Sequence, residues 1–346
     1  MSPPPDLIFA LLFALTSLAL LALPFVPAWR EWRTPTDCDP LPIPRRDPDE
    51  ASAFAALARQ ALATMPDSAT FAPAPAVTAL AAWAHAHRPL LAREPLRFEA
   101  AVHCGMPLFG SASIESTGAA SFTAVYADES LRLGPGSEIS HWAHAGKALH
   151  LGVASVALQS LSAGQCIALE RECCFQHLRA PAIRFGEVPK RRLALRQVQP
   201  VEGELSSLPH AVRRTGTLYR IDGNCQLPAG HRFRGSLVVM GWLVVGENTT
   251  IDGDVKAHKG IVLRAGARVT GSLVCEHSIR LMDFAWAGGP VISEADVLLD
   301  ACAIVGRPDA PTTVSAEHVV AETGARAHGT VWARQAGVVW TSEAFP

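Results

Sequence analysis

Apolar and polar positions recur with a step of eighteen residues along the second half of the chain. Within each repeat apolar residues alternate with polar ones, which is typical of short strands that bury one face. Repetition at a fixed period indicates stacked windings. The predicted core rows are Leu237, Val255, Leu273 and Val291; Leu243, Ile261, Ile279 and Val297; and Val245, Leu263, Leu281 and Leu299. The pattern predicts an all-β fold, a three-sided β-helix solenoid with three strands in each winding.

Four glycines keep the same step as the apolar rows. They are Gly235, Gly253, Gly271 and Gly289. We expect them at the corners of the solenoid, where tight turns favour glycine. A four-residue insertion at 307–310 shifts the register, and the rows then resume with Val319 in the place that Val297 takes in the preceding repeat. Residues 217–346 are therefore predicted to form one regular solenoid of about six windings.

A weaker form of the pattern precedes this region. Rows such as Leu131, Leu149 and Ile167 predict a first, degenerate β-helical region over 96–186, with about three windings. The intervening segment 187–216 breaks the pattern and is rich in arginine. It is interpreted either as a solvated basic loop or as a basic surface for acidic lipid or a partner.

The amino-terminal segment is the most apolar part of the chain. Leu7–Val26 contains no charged residue, is long enough to cross a bilayer as a helix, and is followed by Trp29 and several arginines. We expect residues 1–30 to form a single-pass membrane anchor, with the amino terminus outside and the β-helix in the cytoplasm. A cleaved signal peptide is the alternative. Residues 31–95 are expected to be a linker with short helices near the membrane.

The composition narrows the possible functions. The 346 residues have a formal net charge of −2, so no global basic field points to nucleic acid. With only two tyrosines, a stacking surface for single strands is poorly supported. The eight cysteines show no zinc-binding spacing, and several fall on inward positions, where we expect them to act as small apolar residues. No metal or cofactor is expected.

The enzymatic alternative is a left-handed β-helix acyltransferase of the hexapeptide-repeat type, whose coils also have eighteen residues. Such an enzyme needs a general base, commonly histidine. The candidates in the two regions are His141, His144, His150, His258, His277, His318 and His328. None has an acidic residue at a suggestive spacing, and no nucleotide-binding or hydrolase motif occurs. We therefore expect no catalysis.

The carboxyl-terminal end of the predicted solenoid is short and apolar, and it offers little capping. Unpaired strand edges are adhesive, so a second copy could extend the ladder there. The predicted assembly end comprises Val331, Val338, Val339 and Trp340. Head-to-tail contacts of this kind generate filaments.

Residues of about 217–340 resemble the bactofilins, a family of polymer-forming bacterial cytoskeletal proteins. The resemblance rests on the repeat as a whole, including GSLVVMGWLVVGENTTIDGDVKAHKGIVLRAGARVTGSLVCEHSIRL. It implies a right-handed β-helix that assembles into filaments without nucleotide at the bacterial inner membrane. There it would organise envelope or cell-shape factors, with envelope or peptidoglycan-associated proteins as expected partners. The membrane segment and the first β-helical region depart from the family pattern, which leaves a non-polymerising adaptor as a further alternative.

Overall fold

The computed structural model describes residues 5–26, 29, 60, 71–188, 200–214 and 216–341, which divide between two compact units, 1–49 and 50–346. The first unit contains helix α1 (Pro5–Ala22) and a 3₁₀ helix (Leu23–Phe25). Within the described residues, no helix is both long enough and apolar enough to cross a membrane. Most of the predicted linker, 31–70, lies outside the described residues.

The second unit consists almost entirely of β-strands, which pair into one continuous sheet of about 14 solenoid turns. The strands form two solenoids, which we call the first solenoid (residues 72–185) and the second solenoid (residues 201–340). Each has three sides, named one, two and three. The number of residues between paired windings is near eighteen, as in Val255 paired with Leu273. The β-solenoid expected from the repeat is therefore present, and it extends further than the sequence indicated.

In the first solenoid, side one contains β1 (Ala72–Pro73), β2 (Leu90–Ala92), β5 (Leu108–Gly110) and β12 (Ser160–Ala163). Side two contains β3 (Leu96–Phe98), β6 (Ile114–Ser116), β8 (Leu131–Leu133), β10 (Ala148–Leu151) and β13 (Cys166–Leu169). Side three contains β4 (Val102–Cys104) and β11 (Val156–Ala157). Strands β7 (Ala120–Ala127) and β9 (Glu138–Ala145) turn from side three onto side one, and β14 (Cys174–Phe185) covers all three sides.

In the second solenoid, side one contains β17 (Leu218–Ile221), β20 (Ser236–Val239), β23 (Val255–Ala257), β26 (Leu273–Cys275) and β29 (Val291–Ser293). Side two contains β15 (Val201–Gly203), β19 (His231–Arg234), β22 (Thr250–Asp252), β25 (Arg268–Val269), β28 (Trp286–Ala287) and β31 (Ile304–Val305). Side three contains β18 (Cys225–Leu227), β21 (Trp242–Val245), β24 (Gly260–Leu263), β27 (Ile279–Leu281) and β30 (Asp296–Leu299). Strand β32 (Thr312–Glu322) joins sides one and three, β33 (Arg326–Trp340) covers all three sides, and β16 (Ala211–Arg213) pairs antiparallel with β17.

Alternation of side chains across each strand produces the core. Three-residue strands such as β23 and β27 bury their first and last residues and expose the middle one. All twelve residues of the predicted core rows are at most 1% exposed. Each inner winding is paired with the windings above and below it, so its backbone groups are hydrogen-bonded. Burial of each large apolar side chain contributes about 1.5–3 kcal/mol to stability.

Two predicted boundaries differ from the structure. The first solenoid begins at Ala72, not at 96, because two short strands and a five-residue helix α2 (Leu80–Ala84) precede β3. The predicted helical linker therefore ends inside the solenoid. The segment 187–216 is not only a loop, since it contains β15, a 3₁₀ helix (Leu205–Ser207) and β16. Both differences arise at solenoid ends, where short elements show too little periodicity to be recognised.

Candidate functional site: the junction and ends of the solenoids

The carboxyl-terminal windings of the two solenoids pair with each other. Strand β14 runs antiparallel to β33 along all three sides, with Cys174 opposite Val338, Leu178 opposite Val331, and Arg184 opposite Arg326. Further backbone bonds close the corners, including Glu172 N–H to the Val339 carbonyl at 2.8 Å. The junction therefore joins two solenoids, each internally parallel, through one antiparallel ladder.

The predicted assembly end lies inside this junction. Val331 and Val339 are buried, Val338 is half-buried, and Trp340 is 43% exposed. On the opposite side of the junction, Phe175 stacks on Phe185 with ring centroids 5.7 Å apart, and it lies where a Cβ on Gly337 would be. The carboxyl-terminal end is therefore not open in this chain, because the first solenoid covers it with its own last winding.

A tryptophan covers the amino-terminal end of the first solenoid. Trp83 on α2 is fully buried and packs edge-on against Phe98 at 5.0 Å between ring centroids. Its indole N–H donates to the Ala76 carbonyl at 3.2 Å, so its polar atom is satisfied. A large apolar residue with a satisfied donor is well suited to cap a solenoid core.

The amino-terminal end of the second solenoid is capped by 201–213. Strand β15 adds a rung on side two, where Gly203 lies against the Phe233 ring. Leu205 is 2% exposed, and Leu208 and Ala211 pack against the same core. The arginine-rich segment between the solenoids thus supplies a structural cap in its described part.

The four repeat glycines serve two different needs. Only Gly235 has a positive φ, at 125°. At Gly271 and Gly289 the neighbouring winding is so close that a Cβ would lie within 2.7 Å of the backbone of the preceding glycine in the row, and Gly253 is similarly crowded by Gly235. Glycine is therefore required in this row mainly because neighbouring windings approach too closely to leave room for a Cβ.

A second corner row, which was not among the predicted features, has the left-handed backbone conformation. Its members are Gly230, Asn248, Gly266, Phe284, Cys302 and, after the insertion, Gly324. The first solenoid has the corresponding series Gly136, Ala154 and Glu172. Residues other than glycine occupy half of the first series and two of the three positions in the second series. The residue types alone therefore do not indicate a left-handed corner. The step of eighteen was the signal that could have revealed it.

Three of the candidate histidines bind carboxylates on the neighbouring winding. His258 Nδ1 lies 2.7 Å from Glu276, His318 Nδ1 lies 3.1 Å from Asp296, and His150 Nε2 lies 3.2 Å from Glu170. These carboxylates are 18–22 residues away from the histidines in the chain, so no short sequence spacing indicates the pairs. The other described contacts of these histidines bring no serine or cysteine nucleophile to the ring.

The thiols and acidic clusters give no stronger indication of chemistry. Burial raises the pKa of Cys173 and of Cys225 to about 11, so neither forms a thiolate readily near neutral pH. Asp300 binds Arg280 at 2.9 Å, and burial raises the pKa of its carboxyl group. In the described ranges, no group of three or more His, Cys, Asp or Glu side chains is arranged to hold a metal ion.

Comparison with known proteins gives no relative: no family model, no curated protein and no solved structure matches the chain. The resemblance to bactofilins, and the right-handed coil that it implies, therefore stay predictions. The β-solenoid itself rests on the strand pairing described above.

Proposed function

We propose that this protein is a non-catalytic β-solenoid adaptor that binds its partners along its sides and does not polymerise through its ends. The observation that carries the proposal is the antiparallel ladder between β14 and β33. It occupies both carboxyl-terminal ends within one chain. An end already paired in this way has no free strand edge to offer to a second copy.

The two amino-terminal ends add to this argument. Trp83 covers the first solenoid, and Leu205 covers the second. End-to-end stacking of copies would have to displace one of these buried side chains, at a cost comparable to removing a core residue. A self-assembling filament of bactofilin type therefore requires a cap to open, and it ranks below the adaptor.

The proposal includes the predicted membrane anchor and the predicted envelope partners. Localisation at the inner membrane through Leu7–Val26 stays a prediction, as does binding to envelope or peptidoglycan-associated proteins. The observations in favour of the acyltransferase alternative are the coil length, the histidine–carboxylate pairs, and the contacts of His144 with Ser162 Oγ at 2.8 Å and of His177 with Ser160 Oγ at 3.4 Å.

The test is the mass and appearance of the full-length chain in a neutral detergent. We expect one chain per particle over a wide concentration range, and no filaments in electron micrographs. Trp83→Ala should uncover one end and increase association, whereas Leu80→Ala, which removes a side chain that is 37% exposed, should not. Filaments formed by the unmodified chain would overturn the adaptor proposal.

A further inference from the structure

Side two carries a continuous outward row of side chains that crosses the junction without interruption. Its order follows from the strand register of twelve consecutive pairs. The members are Arg97, Glu115, Arg132, His150, Ala168, Arg184, Arg326, Ile304, Trp286, Arg268, Thr250, Arg232 and Glu202. We call it the arginine row. From Arg97 to Arg232 it spans eleven strand spacings, or about 50 Å.

The arginines are placed symmetrically about the junction. On each side they occupy the first, fourth and sixth positions, counted outward from the β14–β33 ladder. The pairs are Arg184 with Arg326, Arg132 with Arg268, and Arg97 with Arg232. Two solenoids with different core residues and different register steps thus present the same spacing of positive charge on this side.

Most of these guanidinium groups are not used by the fold. Among the six arginines of the row, all of which are described, only Arg232 forms an ion pair, with its Nε 2.6 Å from Asp252. The other five are exposed and have no ion-pair or hydrogen-bond partner among the residues that the structure describes. Arg184 and Arg326 even lie directly opposite each other, and like charges opposite in a sheet are destabilising. The row therefore opposes folding slightly and is available for a ligand.

The geometry points to an extended, phosphate-bearing linear polymer as the ligand of the arginine row. We propose that such a chain lies along side two and binds successive guanidinium groups, whose planar forks match phosphate oxygens. This inference rests on the proposed function, in which partners bind along the sides. Neighbouring arginines are about 5–14 Å apart, so an extended chain can meet several of them at once.

The edges of side two favour a narrow chain over a membrane surface. Glu129 and Asp254 lie at one edge, and Glu170 and Asp300 lie at the other. A planar anionic surface would approach these carboxylates together with the arginines, whereas a single chain can follow the row between them and meets one carboxylate, that of Glu115, between Arg97 and Arg232. Nucleic acid is disfavoured because Trp286 is the row's one aromatic side chain besides His150, and its N–H is bound to the Gly306 carbonyl.

The experiment measures binding of long-chain inorganic polyphosphate to the full-length protein in neutral detergent, at several salt concentrations. The variant is Arg184→Gln with Arg326→Gln, and its control is Arg220→Gln with Lys256→Gln, which removes the same charge from side one. We expect the variant to weaken binding at least about tenfold and to lower the salt slope by about 1.4. The control should stay within about twofold of the unmodified chain.

A second variant keeps the proposal testable if the junction pair affects folding. Arg132→Gln with Arg268→Gln lies away from the junction and should weaken polyphosphate binding similarly. Tripolyphosphate, which is too short to span the row, should bind far more weakly than the long chain. Failure to bind long polyphosphate, or equal weakening by the side-one control, would overturn the proposal.

Two further probes separate the other partners. Tighter, arginine-dependent binding of single-stranded DNA would replace the proposed ligand with a nucleic acid. Arginine-dependent binding to vesicles of anionic phospholipid, without polyphosphate binding, would replace it with a membrane surface. A chain that formed filaments but kept arginine-dependent polyphosphate binding would overturn the adaptor function and leave this ligand assignment in place.

Discussion

The second solenoid keeps its register strictly, whereas the first drifts. From β17 to β31, before the insertion at 307–310, paired strands of the second solenoid are eighteen residues apart, as in Leu243 with Ile261. In the first solenoid the step is eighteen between β3 and β6, seventeen between β6 and β8, and sixteen between β13 and β14. Both nevertheless form three sides around one continuous core. The register can therefore vary by one or two residues per winding when the corners absorb the difference.

The two cores differ in side-chain size. The described core of the second solenoid consists mainly of Leu, Ile, Val and Ala, with Cys225 and Cys275, and Phe233 is its one buried aromatic residue. The first buries Phe98, Phe122, Phe175 and Phe185. Its long strands β7 and β9 also pass over a corner without a turn, and each contains a register irregularity where they pair. In the first solenoid, large buried aromatic residues occur together with bulges, which make room for them by bending the strands. In the second, aliphatic residues of similar size fit a core of constant width, and the windings stay regular.

The largest expected effect comes from charging the core. Leu263→Asp in the second solenoid and Leu149→Asp in the first each place an unpaired carboxylate at a fully buried position, which costs several kcal/mol. We expect both variants to lose the cooperative thermal transition, followed by circular dichroism. Val262→Asp, on the outward side of the same strand as Leu263, is the control. A normal transition in Leu149→Asp alone would mean that the irregular core tolerates charge.

The junction gives the next largest effect. Gly337→Val places atoms where the Phe175 ring lies, and overpacking of this kind costs about 1–3 kcal/mol. Phe175→Leu should relieve part of that cost, giving a coupling of at least about 0.5 kcal/mol in a double-mutant cycle of chemical denaturation. Additive effects would show that the two solenoids do not meet through these residues.

The left-handed corners offer a smaller, stabilising change in each solenoid. Cys302→Gly and Ala154→Gly remove a Cβ from residues with φ of 59° and 56°. The strain of about 1–2 kcal/mol exceeds the added flexibility of glycine in the unfolded chain, so we expect a gain of about 0.5–1 kcal/mol from each. Ala303→Gly, in the same corner without positive φ, should instead destabilise. A decrease in the free energy of unfolding for Cys302→Gly would contradict the interpretation that this corner is strained.

The smallest effect is a pH dependence specific to the first solenoid. Burial is the main cause that lowers the pKa of the His150 imidazole below its usual value of 6.5, against the opposing influence of Glu170. The unfolded chain therefore binds a proton at His150 more readily than the folded chain does. The contribution of neutral His150 to stability is complete above the pKa of the unfolded state, and it is lost as the pH falls toward the lower pKa of the folded state. In urea titrations from pH 8 to 5, His150→Gln should flatten this decline. If stability fell equally steeply with pH in the variant, the pH dependence would arise from other groups.

The sequence predicted the regular part of the fold well because its signal is local. A residue such as Leu263 must be apolar whatever the distant chain does, since it points into a core built from its own repeat. The drift in the first solenoid weakens the same signal, so the sequence predicts a linker for the windings before Leu96. Trp83 could not be identified as a cap, because one tryptophan in a five-residue helix has no period.

The sequence by itself determined the three-sided winding, the inward rows and the position of the insertion, because alternation and an eighteen-residue step directly encode which side chains are buried. Only the tertiary structure decided that β14 and β33 meet antiparallel, about 150 residues apart in the chain, through the fit of Phe175 against Gly337. That contact depends on shape complementarity between two ends, which no repeat encodes. It turned the predicted open end at Val331 into a junction, and it aligned Arg184 and Arg326 into one row.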